Sequence, residues 1–149
     1  MEIKIKRLYE DSKIPTRGSK YAAGYDLYAH IPEEEGGMIK IPPHETRMIG
    51  TGVAVQPPKH TFGAIFPRSG LASKEGLRPA NCVGVCDEDY TGEYKVAIHN
   101  DSQFTAFVSH GDRIAQLVFI PYVAAIFCEV DELDESERGT NGFGSTGSK

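Results

Sequence analysis

An acidic run at the end of an apolar segment is the part of this sequence best suited to reaction chemistry. Residues 87–89 are Asp, Glu and Asp, and they follow the apolar residues 82–86 directly. A carboxylate such as Asp87 is ionised at neutral pH and can remove a proton from water as a general base. Asn81 offers an amide that can pair with the polar edge of a heterocyclic base. Solvated acids in an exposed turn explain the same run, so both interpretations stay open at this point.

Two further segments carry groups that bind anions. Arg68 and Ser69 stand between an apolar run and a short helical pattern, where a guanidinium fork and helix N-terminal amides can hold an anion. The alternative is a helix N-cap beside a surface arginine. Near the C-terminus, residues 138–147 combine Arg138 with closely spaced glycines and hydroxyls, which can wrap a polyphosphate, and Phe143 can stack on a base. The same composition is typical of a mobile tail.

Composition limits the classes of protein to which the chain can belong. Its 149 residues suit one domain, and its net charge of −5 argues against sequence-independent binding to duplex nucleic acid. The most apolar stretch, residues 117–128, is too short to span a membrane and contains Pro121. The start of the chain lacks the apolar core of a signal peptide. We therefore expect a cytoplasmic protein whose three cysteines are small buried thiols and whose five scattered histidines are solvated or core residues.

The apolar pattern of the chain predicts an all-β fold. Sixteen glycines and nine prolines mark frequent turns, and between them apolar residues alternate with polar ones, as in residues 3–5 and 53–55. Continuous apolar runs at 63–66 and 117–120 predict strands that are buried on both faces, and only residues 71–76 predict a helix. The spacing of the turns predicts a sandwich or a closed barrel. Hairpin corners are predicted at residues 35–37, 56–59, 90–93 and 109–112.

Taken in chain order, five segments of the sequence resemble the five motifs of the trimeric deoxyuridine triphosphatases, the dUTPases. The segments are AAGYDLYA, PRSGLA, NCVGVCDEDYTGE, GDRIAQLV and RGTNGFGSTG. Any one of them is a weak signal, but all of them in order at fitting distances are a strong one. The resemblance extends from about Ile3 to the C-terminus.

The resemblance implies an all-β, jelly-roll-like subunit of the β-clip type with one short helix, assembled as a homotrimer with shared active sites. Residues 1–137 would form the dUTPase domain, and residues 138–149 a flexible glycine-rich lid of the same domain. The tail of one chain would close an active site on its neighbours, which explains a segment that cannot pack against its own core. The expected reaction is hydrolysis of dUTP to dUMP and pyrophosphate, which lowers dUTP and supplies dUMP for thymidylate synthesis.

The resemblance also implies a role for each matching residue. Asp87 corresponds to the carboxylate that activates water for attack on the α-phosphorus. Tyr90 corresponds to the aromatic residue that packs on deoxyribose and leaves no room for a ribose 2′-hydroxyl. Asp26 lies near a Mg²⁺ ion that is held mainly by the triphosphate, and it would reach the metal only through water. The expected substrate-binding residues are Arg68, Ser69, Gly70, Asn81, Gly84, Val85, Cys86, Tyr90, Lys95, Gln116, Arg138, Phe143, Gly144, Ser145 and Thr146.

Two other functions are compatible with parts of this motif set. A dCTP deaminase-type relative shares the fold, but its chemistry requires a glutamate on the strand after the hairpin, where this chain has Ala97. A non-catalytic module that binds dUTP and signals through its ordered tail is the other alternative, and the retention of Asp87 with a complete lid argues against it. The expected partners are the dUTP substrate and the other subunits of the trimer, with no nucleic acid and no membrane.

Overall fold

Short antiparallel strands make up nearly all the regular structure of the part of the chain that the structure describes. A computed structural model describes residues 2–140 and residue 142. The strands of these residues are β1 (Lys4–Arg7), β2 (Thr16–Arg17), β3 (Tyr25–Tyr28), β4 (Met38–Ile41), β5 (Thr46–Gly50), β6 (Val53–Gln56), β7 (Thr61–Phe66), β8 (Leu77–Pro79), β9 (Gly84–Cys86), β10 (Lys95–Asn100), β11 (Ala106–Ser109) and β12 (Arg113–Pro121). The predicted all-β fold is therefore confirmed.

Two helical segments interrupt the strands of the described residues. The helix predicted at residues 71–76 is present as a single π-helical turn, Leu71–Glu75, and a 3₁₀ turn at Glu33–Glu35 is additional to the prediction. Each segment ends at a glycine in the left-handed region, Gly76 at φ 68° and Gly36 at φ 91°, where a side chain would strain the backbone. Among the described residues, no helix has the length and apolarity needed to cross a membrane.

The strands form four antiparallel groups. The largest is a five-stranded sheet in the order β2-β3-β12-β7-β9, and a three-stranded sheet has the order β5-β10-β8. β1 pairs with β6, and β4 pairs with β11. In the large sheet, β12 pairs with both β3 and β7, and β7 pairs with both β12 and β9. These two central strands therefore fix the positions of the elements on either side of them.

The predicted corners are real bends in the chain, but none of them is a hairpin. Residues 56–59, for example, connect β6 to β7, yet β6 pairs with β1 whereas β7 pairs with β12 and β9. The corners at 35–37, 90–93 and 109–112 likewise lead from one sheet to another. Local turn residues determine where a chain bends. Which strands pair is decided by the apolar faces that must meet across the core, and that choice is not local.

Aliphatic side chains from all four groups of strands meet in one core. Leu27 and Leu117 come from the large sheet, Ile49 from the three-stranded sheet, and Ile41 and Val53 from the two strand pairs. Each of these side chains is at most 1% exposed, and burying one contributes roughly 1.5–3 kcal/mol. Antiparallel sheets on a shared core, joined by corners that cross between sheets, are the arrangement of a jelly-roll-like fold.

A cluster around the buried His30 ring attaches the N-terminal segment to the body. Asp11 Oδ1 lies 2.9 Å from His30 Nε2, and Asp11 Oδ2 lies 3.7 Å from His110 Nε2. The His30 ring stacks on Tyr9, and its hydrogen bond keeps the pKa of Asp11 below the ordinary value. The Ile31 N–H donates to His110 Nδ1 at 3.2 Å, which places the proton of a neutral ring on Nε2, facing Asp11. Two histidines that are far apart in the sequence are thus neighbours in the fold.

Asn100 is a polar side chain at full burial, with 0% exposure. Its Nδ2 donates to the carbonyl oxygens of Ile41 at 2.9 Å and Phe104 at 2.7 Å. Its Oδ1 accepts a hydrogen bond from the Ser102 N–H at 2.9 Å. The side chain therefore ties the loop after β10 to the end of β4.

Replacing this amide should weaken the fold. Asn100→Ala should lower the free energy of unfolding by about 3 kcal/mol, because the Ile41 carbonyl and the Ser102 N–H lose their bonds to a fully buried amide and the Phe104 carbonyl loses one of its two hydrogen bonds. Asn100→Asp keeps the size but presents an acceptor to carbonyl oxygens, and it should be at least as damaging. Denaturant unfolding at one fixed protein concentration measures both changes, with the exposed Gln103→Ala as control. A loss of less than about 1 kcal/mol in Asn100→Ala would contradict this role.

Candidate active site

The candidate general base, Asp87, follows strand β9 and lies on an open cleft. The strand pairs with β7, and the chain leaves the sheet at Asp87, whose side chain is exposed. A turn follows, in which the Tyr90 N–H donates to the Asp87 carbonyl at 3.1 Å. The cleft has a volume of about 950 Å³, and its lining includes Asp87, Val85, Lys59 and His60. The carboxylate is therefore accessible to water, as a general base on water must be.

Glu88 holds the loop that carries Asp87. Its Oε2 accepts a hydrogen bond from the His60 N–H at 2.7 Å and another from the Tyr122 hydroxyl at 2.9 Å. These hydrogen bonds lower the pKa of the Glu88 carboxyl and raise the pKa of the Tyr122 hydroxyl. The carboxylate thus connects the loop to the turn before β7 and to the residue after β12. No sequence signal identifies these partners, because they are 28 and 34 residues away.

Three of the predicted base-recognition residues lie together at the start of β9. A Cβ atom at Gly84 would be 3.2 Å from Asn81 Nδ2, so the amide packs directly on the glycine. The Val83 N–H donates to the Asn81 carbonyl at 2.6 Å, which forms the tight turn before the strand. Cys82 adopts a left-handed φ of 62° in this turn. Val85 is 62% exposed and lines the cleft.

Cys86 differs from these neighbours because its side chain points into the core. The residue is 9% exposed, belongs to the apolar cluster and lies beside Tyr94. Burial raises the pKa of its thiol to about 11. A substrate in the cleft can therefore contact this residue only through its backbone. The expectation of buried thiols holds for Cys86 but is wrong for Cys82 and Cys128, which are exposed in the described chain.

A second group of predicted residues lies around the other end of β7. Asp26 of β3 accepts a hydrogen bond from Arg68 Nε at 2.8 Å through Oδ1 and one from Arg113 Nη1 at 3.3 Å through Oδ2. The Asp26 side chain is only 13% exposed, and the two guanidinium groups compensate a charge that would otherwise be costly to bury. Arg113 is not among the predicted site residues, because its partner is 87 residues away in the sequence.

Gln116 fixes the loop that presents Arg68. It stands on β12 opposite both β3 and β7, and its Nε2 donates to the Pro67 carbonyl at 2.8 Å. Ser69 and Gly70 follow Arg68 and are exposed. These two residues lead into the helical turn, and no side-chain hydrogen bond caps its N-terminus.

Within one chain, the two groups lie at opposite ends of β7. Cys86 pairs with Gly63 near the start of that strand, so the next residue, Asp87, lies beside Phe62. Arg68 follows the other end of the strand. The span from Phe62 to Arg68 is about 20 Å at the strand rise of ~3.3 Å per residue. Asp87 and Arg68 also line different pockets. A single chain therefore does not bring the candidate base and the predicted phosphate contacts together.

The structure describes two of the remaining predicted residues, Lys95 and Arg138. Lys95 begins β10, and its Nζ is 3.4 Å from Glu93 Oε2. Arg138 is exposed on the segment that follows β12. The predicted lid residues Phe143, Gly144, Ser145 and Thr146 lie outside the described residues.

Comparison with known proteins decides the family. The dUTPase family model matches residues 10–147 of the chain. The chain belongs to the dUTPase family. The deoxyuridine 5'-triphosphate nucleotidohydrolase of Maricaulis maris is 43% identical over 149 residues, covering 99% of this chain and 97% of the relative. The dUTPase of Saccharomyces cerevisiae is 44% identical over 146 residues, covering 97% of this chain and 94% of the relative.

Solved dUTPase structures share the fold. The dUTPase of Staphylococcus bacteriophage 80alpha with dUPNHPP has a TM-score of 0.86 at 29% identity, with 98% of both chains covered. A mutant dUTPase from phage phi11 of S. aureus, whose structure reveals the coordination of a structural Mg(II) ion, has a TM-score of 0.79 at 25% identity, with 91% of this chain and 100% of that chain covered. The predicted jelly-roll-like dUTPase fold is thereby confirmed.

The burial of Cys86 predicts that its thiol reacts slowly in the native protein. At mildly alkaline pH a thiolate-specific alkylating reagent should leave Cys86 unmodified, because a shielded thiol with a pKa of about 11 remains protonated. Denaturation should make it reactive. Mass spectrometry of digests prepared before and after denaturation measures the difference, with the exposed Cys82 as reference. Rapid labelling of Cys86 in the native protein would show that it does not occupy the core.

Proposed function

We propose that the chain hydrolyses dUTP to dUMP and pyrophosphate, and so lowers dUTP and supplies dUMP for thymidylate synthesis. Membership of the dUTPase family and relatives named deoxyuridine 5'-triphosphate nucleotidohydrolase support this activity. One observation supports Asp87 as the general base. Asp87 is an exposed carboxylate at the end of β9, on the lining of a cleft of about 950 Å³. An exposed carboxylate at this place is available to water as a general base.

In the proposed reaction, Asp87 accepts a proton from a water molecule whose oxygen attacks the α-phosphorus. A new phosphorus–oxygen bond forms, the bond from the α-phosphorus to the bridging oxygen breaks, and pyrophosphate leaves. Arg68 stabilises the negative charge of the phosphates, and Asp26 holds its guanidinium in place. The further phosphate contacts that we propose lie beside Arg68, and they are Ser69, Gly70 and Gln116.

The residues around β9 are proposed to read the base and the sugar. Asn81, with the backbone of Gly84, Val85 and Cys86, pairs with the uracil edge. A tight pocket of this kind rejects the methyl group of thymine by steric clash and the amino group of cytosine by mismatched donors and acceptors. Tyr90, which is 45% exposed, packs on the deoxyribose. Residues further along the chain are proposed to complete and cover the site: Lys95, Arg138, Phe143, Gly144, Ser145 and Thr146.

Mg²⁺ is the proposed cofactor, held mainly by the triphosphate. Bound there, it neutralises phosphate charge that would oppose attack on the phosphorus. Both oxygens of Asp26 are engaged by arginines, so this carboxylate fits an indirect contact through water better than direct coordination. Because Mg²⁺ dehydrates reluctantly, a contact through its water suits the ion.

We further propose that the chain forms a homotrimer with active sites shared between subunits. The separation of Asp87 from Arg68 along β7 supports this arrangement. The strand rise places the general base and the phosphate contact about 20 Å apart in one chain. At that distance they cannot both act on one α-phosphate. The same two residues from different subunits can meet at one site.

The segment after β12 supports association as well. Residues 122–140 are exposed. They include two large apolar side chains, Ile126 and Phe127, each of which is 97% exposed. Exposed apolar side chains in a row are typical of a segment that packs on another subunit. An apolar groove of about 220 Å³, lined in part by Ile5 and Phe119, offers a place for the segment of a neighbouring copy.

The domain limits and the location complete the proposal. Residues 1–137 form the dUTPase domain, and residues 138–149 form its lid. The composition and the three unpaired cysteines support a cytoplasmic location.

Against a deaminase, β10 carries Ala97 where a glutamate is required. Against a purely signalling module, Asp87 stands exposed on the cleft.

Removing the proposed base should stop turnover without preventing binding. Asp87→Asn keeps the size of the side chain but removes its basicity, so kcat for dUTP should fall by about 10³-fold. Calorimetry with a non-hydrolysable dUTP analogue should show affinity close to that of the wild type. Asp89→Asn makes the same change of charge two residues away and serves as control. Near-normal turnover by Asp87→Asn would sink the assignment.

The shared site makes a prediction for mixed trimers. Asp87→Asn and Arg68→Ala chains should each be inactive alone, because every site then lacks one of the two groups. Refolded together in equal amounts, they should regain about a quarter of the wild-type activity, because random mixing builds one site in four from intact contributions of two chains. Light scattering on the same samples reports the oligomeric state. A mixture that stays inactive while forming mixed oligomers would place both residues in a site within one chain.

A further inference from the structure

We propose that Tyr94 is a positioning residue for Tyr90 and so sets the discrimination between deoxyribose and ribose nucleotides. The inference rests on the proposed function, in which Tyr90 packs on the sugar. Tyr94 is only 1% exposed, so it does not reach the cleft itself. Its ring stacks with that of Tyr90, with a centroid distance of 6.1 Å and an interplanar angle of 22°. Any effect on the sugar therefore passes through the Tyr90 ring.

The backbone of Tyr94 is held on both sides by the connection between β5 and β6. Its N–H donates to the Val53 carbonyl at 2.9 Å. Its carbonyl accepts hydrogen bonds from the Thr51 N–H at 3.2 Å and from the Thr51 hydroxyl at 2.6 Å. Thr51 is 1% exposed and Val53 is fully buried. The position of residue 94 is thus fixed to the core independently of its side chain.

The Tyr94 side chain is packed as closely as its backbone. A Cβ atom at Gly63 would lie 3.0 Å from the Tyr94 hydroxyl oxygen, and the hydroxyl faces the Cys86 thiol. The hydroxyl finds no oxygen or nitrogen partner among the described residues. A buried hydroxyl without such a partner is costly. The ring, rather than the hydroxyl, therefore accounts for the contribution of this side chain.

The Tyr90 ring also rests on its own turn. A Cβ atom at Gly92 would lie 2.5 Å from the Tyr90 hydroxyl oxygen and 2.7 Å from Cζ, so the ring lies directly over the glycine. The Tyr90 hydroxyl donates to the Glu93 carbonyl at 2.9 Å. Tyr94, Gly92 and Glu93 all contact this one ring, and 45% of Tyr90 remains exposed.

A steric filter against a single hydroxyl group depends on the exact place of the filtering ring. Tyr90 stands on an exposed turn, and a turn alone allows movement. A displacement of about 1 Å is enough to change rates about 10²-fold at a catalytic site. The stack on Tyr94 couples the ring of the turn to a residue that cannot move without disturbing the core. The discrimination between dUTP and UTP is therefore set partly by a residue that never contacts the nucleotide.

The test compares two substitutions of Tyr94. Tyr94→Leu removes the ring, and the ratio of kcat/KM for dUTP to that for UTP should fall about three- to tenfold, the size expected for the loss of one stacked aromatic pair. Tyr94→Phe keeps the ring and should retain the ratio within about twofold. In Tyr94→Leu, KM for dUTP should change more than kcat, because Asp87 is untouched. A folded Tyr94→Leu protein with wild-type discrimination overturns the proposal.

A second variant keeps the test valid if Tyr94→Leu does not fold. Gly92→Ala places a methyl group against the Tyr90 ring from its own turn and leaves Tyr94 intact. It should also lower the ratio, and an unchanged ratio would show that the position of the ring does not set discrimination. Tyr90→Ala distinguishes the proposed role of Tyr90 from that of Tyr94. If it leaves discrimination unchanged, the proposed role of Tyr90 fails. If it relaxes discrimination while Tyr94→Leu does not, only the role of Tyr94 fails.

Discussion

The pairing of β7 with β12 on one side and β9 on the other is the constraint on which the candidate site depends. β12 carries Gln116 against the loop of Arg68, and β9 ends where Asp87 enters the cleft. Side chains alternate between the two faces of a strand, so a register is decisive. A slip of one residue between β7 and β9 would bury Val85 and bring the Cys86 thiol to the cleft. The aliphatic core disfavours such a slip, because the observed register places Cys86 in the apolar cluster.

The sequence predicts local features of this molecule well and long-range ones poorly. Alternating apolar residues identify strands such as β1 and β6, and glycines mark the bends. The bends do not reveal partners, and each predicted hairpin turned out to join strands of different sheets. Turn residues act over a few positions, whereas pairing depends on apolar faces that are brought together only in the complete fold.

The same limit applies to the candidate site. Motif resemblance pointed to Asp26, Arg68 and Asp87. Arg68 and Asp87 follow the ends of strands, as expected, and Asp26 lies within β3. It did not identify Arg113, Glu88 or Tyr94. Arg113 and Glu88 act through hydrogen bonds to partners at least 28 residues away. Tyr94 resembles any other buried aromatic residue until its stack on Tyr90 is seen. Side chains that hold others in place leave no spacing pattern of their own.

The ion pair between Arg68 and Asp26 affects the entropic cost of binding a phosphate group at Arg68. A free arginine side chain carries about 2 kcal/mol of rotamer entropy, which is lost when it is immobilised by a ligand. In this chain the Nε bond to Asp26 restricts the guanidinium before any anion arrives, and the charge-assisted pair stands largely out of water. The side chain is preorganised. In the proposed site, new hydrogen bonds from Arg68 to an arriving anion would therefore appear as affinity with little offset from ordering, and Asp26 would support anion binding although its own charge is negative.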